Sequence, residues 1–389
     1  MSIKNPIGPP ITAQSGSIEC IKEIKRLIKE KERITFSEFM EAALYTPGVG
    51  YYTGENKPWG AGGDYVTSLD VSSEYGRAIA KQILQMSSNL PDQRPFHIIE
   101  AGGGRGLLIK WVMDAVIHLS GDDAERFVFS MIERGSSNEG LPGLHVFANL
   151  DEFKERFGEV GGVIFSNELL DAIPFERVRW SGGEPRQVMV ELDSDGELKE
   201  SLREESSHEI TEFFSDMGVS PSEETQAEVS LGALQWLEEA SNILEKGYII
   251  TVDYGKSSKE LYSNSVGTYM CHHKHTRNEE PYINIGEQDI TAHLDFSALK
   301  KKGISCGLTT LGYTTQSAFL LGSGILDGAE VASTADDMTA ESIAHNRGIR
   351  DLVLPGGVGD TMKVLIQSKN VDDGKELMGL TFKNLVSRL

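Results

Sequence analysis

One ten-residue stretch, His97-Ile98-Ile99-Glu100-Ala101-Gly102-Gly103-Gly104-Arg105-Gly106, restricts this chain more than any other. A β-prone apolar run reaches an acid, Glu100, and then meets Gly102, Gly103, Gly104 and Gly106, after which Leu107 to Val116 resumes at helical spacing. The pattern predicts a strand, a tight loop and a helix. Glycine has no Cβ and tolerates positive φ, so such a loop lets a ligand lie against bare backbone, and the following helix offers free N–H groups at its start. A nucleotide-like cofactor is the expected guest, and a glycine-rich turn without a ligand is the alternative. The spacing is wrong for a dinucleotide: G-x-G-x-x-G begun at Gly102 and Gly104 would need its third glycine at Leu107. The chain carries E-x-G-x-G-x-G instead, through Glu100, Gly102, Gly104 and Gly106.

The segments downstream supply company for that loop. Phe127 to Ile132 reads as a second strand ending at Glu133, where nucleoside-binding α/β folds place the carboxylate that accepts hydrogen bonds from ribose hydroxyls. A solvated surface Glu is the plainer alternative. Leu144 to Ala148 predicts a third strand, and Gly162 to Ser166 a fourth, which delivers Asn167-Glu168-Leu169-Leu170-Asp171-Ala172-Ile173-Pro174 to its C-terminal end. Ligands of open α/β sheets bind outside the carboxyl ends of the strands, so Asn167, Glu168 and Asp171 are expected to converge on the crevice of Glu100 and Glu133. A helix start capped by Asn, with acids on its positive dipole end, would explain the same residues structurally.

Before the loop, Met1 to Ser17 reads as an extended arm, and Ile18, Ile21, Ile24, Leu27 and Ile28 mark one face of a helix. Thr35 with Glu38 is a capping box opening a second helix that buries Phe36, Phe39, Met40, Ala43 and Leu44. Tyr45 to Tyr52 and the loop running on through Gly63-Asp64-Tyr65-Val66-Thr67 fit a lid over a site or a plain aromatic packing loop. Ser73 to Met86 predicts a third helix. After the fourth strand, Phe175 to Trp180 and Gln187 to Leu192 predict a hairpin. Glu191 to Glu228 holds thirteen acids against two basic residues, which reads as a solvated, partly mobile face, with a docking surface for a basic protein segment as the sharper reading. Gln226 to Leu244 predicts an amphipathic helix, Gly247 to Asp253 a buried strand, Asp295 to Lys302 a helix, and Ile304 to Leu311 and Met362 to Ser368 strands. Asp327 to His345 reads as an exposed polar segment. His272, His273 and His275 lack metal-type spacing, because neighbours on a strand point to opposite faces.

Composition excludes several classes. The chain has 389 residues, 39% hydrophobic and 25% charged, enough for one large domain with insertions or for two. A net charge of -22, without Lys/Arg clusters, argues against a nucleic-acid groove and leaves basic or neutral substrates. Cys20, Cys271 and Cys306 are isolated, which predicts a reducing compartment. No long apolar run predicts a membrane span. Lys4 is the single basic residue of the first twenty, which argues against a mitochondrial transit peptide. The expected location is therefore the cytoplasm.

The glycine loop resembles the first motif of class I S-adenosyl-L-methionine methyltransferases. Phe36 to Tyr52, Gly63-Asp64-Tyr65-Val66-Thr67, Glu100 to Gly106, Asn167 to Pro174, Asp253-Tyr254-Gly255, Gly286 to Phe296 and Gly359 to Lys363 together resemble the MidA-like family of such enzymes, from about Ile34 to near the C-terminus. The resemblance implies an α/β fold: a Rossmann-like class I methyltransferase with a mostly parallel sheet, N-terminal helices and an inserted substrate-binding part. It divides the chain into 1–90 (N-terminal helices and lid loop), 91–175 (first half of the cofactor core), 176–245 (inserted hairpin, acidic segment and helix) and 246–389 (second half of the core). It implies S-adenosyl-L-methionine as cofactor, bound through Gly63, Asp64, Thr67, Glu100, Gly102, Gly104, Gly106, Glu133 and Asn167. The family's mitochondrial members are protein arginine methyltransferases that form symmetric dimethylarginine and assist respiratory complex I assembly. The implied partner is thus a protein with an accessible arginine, such as a complex I subunit, and a homodimer stays open. The chain departs from the family pattern at Gly103 (usually Pro), Trp111 (usually Asp), Arg134-Gly135-Ser136, Leu69-Asp70 and His272-His273.

The acids suggest how such an enzyme would work. Methyl transfer is an in-line displacement, so the protein mainly holds donor and acceptor at near-attack distance. A guanidinium is protonated at physiological pH and is best gripped by paired carboxylates, for which Glu168 and Asp171 are the candidates, with Asn167 orienting cofactor or acceptor. Three readings follow: a protein arginine methyltransferase, a small-molecule methyltransferase, or a non-catalytic assembly factor that keeps the fold. A nicotinamide-dependent oxidoreductase is disfavoured by the glycine spacing.

Overall fold

The computed structural model describes residues 14–54, 72–135, 141–263, 266–329, 339–354, 356–372 and 376–389. The chain divides into two compact units, each assembled from three separate segments: 1–65, 171–235 and 256–298 in one, and 66–170, 236–255 and 299–389 in the other. Elements are numbered along the chain.

The second unit carries the glycine loop and is built on one sheet. Its strands are β2 (Phe96–Ala101), β3 (Phe127–Ile132), β4 (Leu144–Phe147), β5 (Val160–Asn167), β10 (Leu244–Lys256), β15 (Thr309–Thr315) and β16 (Met362–Lys369), in the spatial order β15-β16-β10-β5-β2-β3-β4. The five from β10 to β4 are parallel, and β16 runs antiparallel between β15 and β10. All residues of β2 and β5 are buried, which is why both read as unbroken apolar runs rather than as alternation. The connecting helices are α3 (Glu74–Ser88), α4 (Leu107–Ser120), α5 (Leu150–Phe157), α10 (Gln316–Gly322), α11 (Ala340–Val353) and the single turn α12 (Val358–Thr361). Tyr75, Ile79, Ile83, Leu108, Val112, Phe129, Phe165, Ile250 and Val364 belong to one buried cluster. From β2 the chain runs outward through β3 to β4 and then returns to the other side of β2 as β5. The strand order therefore reverses between β2 and β5, where open α/β sheets leave a ligand crevice at the carboxyl ends.

The first unit holds α1 (Ile18–Lys31), β1 (Arg33–Thr35), α2 (Phe36–Tyr45), β6 (Glu176–Ser181), β7 (Glu184–Leu192), β8 (Leu198–Leu202), α6 (His208–Met217), β9 (Gln226–Val229), α8 (Ser258–Leu261), β11 (Met270–His273), β12 (Thr276–Asn278), β13 (Asp289–Thr291) and β14 (Leu294–Asp295). Helices α7 (Leu231–Ile243) and α9 (Phe296–Ser305) are cut by the boundary. The capping box forms as its spacing predicts: Glu38 N donates to Thr35 Oγ1 (3.2 Å) and Thr35 N to Glu38 Oε2 (2.8 Å). The hairpin forms too, as β6 and β7, with Gly182 and Gly183 in the left-handed conformation that a two-residue turn needs.

Four local expectations are corrected. Ile18 does not share the buried stripe of α1; it is exposed, and Cys20, Ile24 and Ile28 are buried instead. Gln226 to Val229 is a strand rather than the start of α7, because an antiparallel partner, Glu176 to Arg179 of β6, takes its backbone groups. Ile304 and Ser305 end α9, so the following strand begins at Thr309, beyond a left-handed Gly307. Glu191 to Glu228 presents the solvated face its charge predicts, with most of its acids exposed, but it is folded, with β8, α6 and β9 in it, and some of its acids are paired or hydrogen-bonded at close range. Glu200 pairs with the buried Arg177 (2.5 Å), Glu191 with Lys199 (3.2 Å), and Glu228 accepts from Thr268 N (2.8 Å) and Oγ1 (2.9 Å). The histidines occupy a hairpin whose turn residues, Lys274 and His275, both have positive φ.

Candidate active site

The glycine loop is shaped by backbone angles only glycine adopts easily. Gly102, Gly104 and Gly106 have φ of 73°, 52° and 71°, so the alternating glycines of E-x-G-x-G-x-G fall on the three left-handed positions. Gly103 is different: a Cβ there would lie 2.4 Å from Met131 Sδ, so at this departure from the family pattern the Met131 side chain fills the space beneath the loop.

Glu100 sits under this loop, 2% exposed. Helix α4 begins at Gly106, which has no side chain with which to cap it, and Glu100 Oε2 supplies the missing acceptor to Ile109 N at 2.9 Å. Burial, with Glu133 nearby, pushes the Glu100 carboxyl up to about 8. Its contact is therefore with the loop's own helix. Glu133, at the end of β3, is half-buried; its Oε2 accepts from Gly104 N at 2.7 Å, and burial raises its carboxyl above the usual range.

Asn167 ends β5 on the other side of β2, with Ala101 aligned to both Ile132 and Ser166. Glu100, Glu133 and Asn167 thus occupy three neighbouring strand ends at the point where the strand order reverses. Asn167 is 7% exposed and its Nδ2 donates to Glu168 Oε1 at 3.2 Å. Glu168 has φ of 52°, a conformation that costs a non-glycine residue about 1 kcal/mol or more and that gathers at functional sites. The turn is held from below by the fully buried Asp253 of β10, which accepts from Leu170 N (2.9 Å) and Tyr254 N (2.8 Å), while Glu168 N donates to Val252 O (3.0 Å). The sequence places Asp253 only within a motif; an acid directly after the mostly apolar run from Tyr248 to Val252 is the signal that marks it.

Asp171, the second carboxylate expected from sequence, is the first residue of a segment of the other unit, buried, with its carbonyl oxygen accepting from Ala292 N. Gly63, Asp64 and Thr67 lie outside the described residues. The described part of the preceding loop is packed: Tyr45 stacks on Tyr52 at 5.4 Å, and Tyr52 Oη donates to Asp289 Oδ2 at 2.8 Å, the behaviour of an aromatic packing loop.

A family model described as an S-adenosyl-L-methionine-dependent methyltransferase matches residues 78–314. The chain belongs to this MidA-like family. Among solved structures, a superfamily member from Burkholderia thailandensis bound to S-adenosyl-homocysteine is 25% identical, with a TM-score of 0.82 over 95% of this chain and 96% of that one. Among curated relatives, the protein arginine methyltransferase NDUFAF7 of Danio rerio, named as mitochondrial, is 25% identical over 78% of this chain and 76% of its own length. The corresponding protein of Homo sapiens, also named as mitochondrial, is 23% identical over 80% and 75%. The MidA-like chain is thus an enzyme, a methyltransferase of class I fold that uses S-adenosyl-L-methionine. The residues present fit such a cofactor in kind: three left-handed glycines leave bare backbone at the strand ends, and the half-buried Glu133 is a carboxylate that could accept from a hydroxylated ligand. The expectation of a cytoplasmic protein is overturned by the mitochondrial relatives. Isolated cysteines and the lack of a spanning run say only that no oxidising compartment is required, and several compartments meet that condition.

Proposed function

We propose that this chain methylates an arginine side chain of a protein, and that Glu168 with Asn167 grips the acceptor. The observation that carries the reading is the left-handed Glu168 at the strand end beside the glycine loop, fixed by Val252 and, through the next turn, by Asp253. Bound S-adenosyl-L-methionine supplies an electrophilic methyl group on a sulfonium. The Glu168 carboxylate matches the planar donors of a guanidinium, draws positive charge away from the attacking nitrogen and accepts a proton as transfer proceeds. The overall charge of -22 favours a cationic acceptor. The names of the curated relatives support arginine. Symmetric dimethylation and a complex I subunit as substrate are what the family resemblance adds to this reading.

Incubating the enzyme with methyl-labelled cofactor and a cell lysate, then locating the label, tests the reading. Label on arginine of a protein is expected, lost in Glu168→Gln with folding intact. Label confined to a metabolite fraction would replace it with a small-molecule reading, and no label with no cofactor binding would leave a scaffold. Asp171→Asn in the same assay tests the second carboxylate expected from sequence.

A further inference from the structure

Tyr75, on the first turn of α3, is 1% exposed, yet its hydroxyl reaches the strand-end cluster. Tyr75 Oη donates to Asn167 Oδ1 at 2.5 Å, and Asn167 Nδ2 donates in turn to Glu168 Oε1. Tyr75 Oη also lies 3.3 Å from Gln316 Oε1 of α10, while Gln316 Nε2 is buried with no hydrogen-bond partner among the described residues. A hydroxyl carries one proton, and the shorter contact takes it. Turning the Gln316 amide over removes the competition for the hydroxyl proton, because Nε2 then donates to the Tyr75 oxygen and the position without a hydrogen-bond partner holds the amide oxygen in place of the NH2 group.

We infer that Gln316, Tyr75 and Asn167 form a one-directional hydrogen-bond relay that positions the Glu168 carboxylate, with Tyr75 a positioning residue for methyl transfer. The direction is fixed at both ends. Gln316 has a donor to place, and Glu168 as a carboxylate only accepts. Without the Tyr75 proton the Asn167 amide is free to turn, and its oxygen would then face the carboxylate and repel it. The other charged or titratable groups near the Tyr75 hydroxyl are Glu100 of β2 and Asp253 and Tyr254 of β10, each of which raises its pKa further above the usual phenol range after burial itself. Burial first, and then Glu168, Glu100, Tyr254 and Asp253, all disfavour a phenolate there, so the Tyr75 proton stays in place at neutral pH and the relay keeps its direction.

The inference rests on the role given to Glu168 above, and the two are separable by experiment. Tyr75→Phe removes only the hydroxyl and keeps the ring in the core. The ¹³C signal of the Glu168 carboxyl, followed by NMR titration without substrate, is expected to shift its midpoint upward by about half a unit to one unit in this variant, because a hydrogen bond that favours the charged form has been lost. In the transfer assay, kcat is expected to fall about tenfold and the acid limb of its pH profile to move up by the same interval, with affinity for S-adenosyl-homocysteine within about twofold. Gln316→Leu, which leaves Tyr75 intact, is expected to move the same midpoint in the same direction by less, and stands in should Tyr75→Phe fail to fold. An unmoved Glu168 midpoint in both variants would overturn the relay. A moved midpoint in an enzyme that labels no arginine would keep the relay and overturn the arginine reading.

Discussion

A carboxyl buried beneath a loop behaves differently from one at a strand end, and Glu100 and Glu133 separate on that ground. Glu100 keeps its proton to about pH 8 in the folded protein, whereas an unfolded chain releases it near 4.5. Between those values the native state binds the extra proton, so stability is full below about pH 4.5 and falls as pH rises toward 8. Glu100→Gln keeps an acceptor for Ile109 N and has no proton to lose. Thermal melts of the two proteins should converge at pH 5 and diverge by up to about 4 kcal/mol in favour of the variant at pH 8. Glu133 is half-buried and at the crevice, so Glu133→Ala is expected to weaken S-adenosyl-homocysteine binding about tenfold or more in calorimetry, with a far smaller effect on the melt. The sequence marked both acids as ligand-facing. It could not distinguish them, because the difference lies in which backbone N–H each oxygen meets.

Elements in this protein are set by caps and by partners, and only caps are local. Thr35 and Glu38 are three residues apart, so their box is legible by spacing; Gln226 to Val229 follows an apolar helix pattern and is nonetheless a strand, because β6 lies beside it. Helices α3 and α4 meet at Gly76, where a Cβ would come within 2.5 Å of Trp111 Cβ. Alanine gains about 1 kcal/mol of helix propensity over glycine, but the clash costs about 1–3 kcal/mol, so Gly76→Ala should lower the melting temperature by several degrees. On β2, His97 is 4% exposed with the rings of Phe153 and Phe157 edge-on at 6.0 and 5.0 Å. Burial, and then His145, push its imidazole down to about 4. The unfolded chain takes up that proton near pH 6.5, so the contribution is present above 6.5 and is lost as pH falls toward 4. His97→Phe should remove about 2 kcal/mol of the stability drop between pH 6.5 and 5, read by denaturant melts at both pH values.

At the scale of the molecule, charge and cofactor act on everything at once. With a net charge of -22, kcat/KM for an arginine peptide should fall as ionic strength rises from 0.05 to 0.5 M; a flat response would show that long-range attraction does not steer the acceptor. Sequence alone determined the cofactor loop, its exclusion of dinucleotides and the parallel α/β core, because glycine placement and unbroken apolar strands are local chemistry that no distant partner can rewrite. It also determined the family, through motifs kept in order along the chain. Only the tertiary structure decided that Glu100 caps a helix, that Asp253 holds the Glu168 turn, that Tyr75 and Gln316 reach Asn167, and that the acidic stretch is folded. Those facts depend on which groups meet in space, 9 residues apart for Glu100 and Ile109, 83 for Leu170 and Asp253 and 241 for Tyr75 and Gln316, and a carboxylate or hydroxyl takes its role from the partner it finds there.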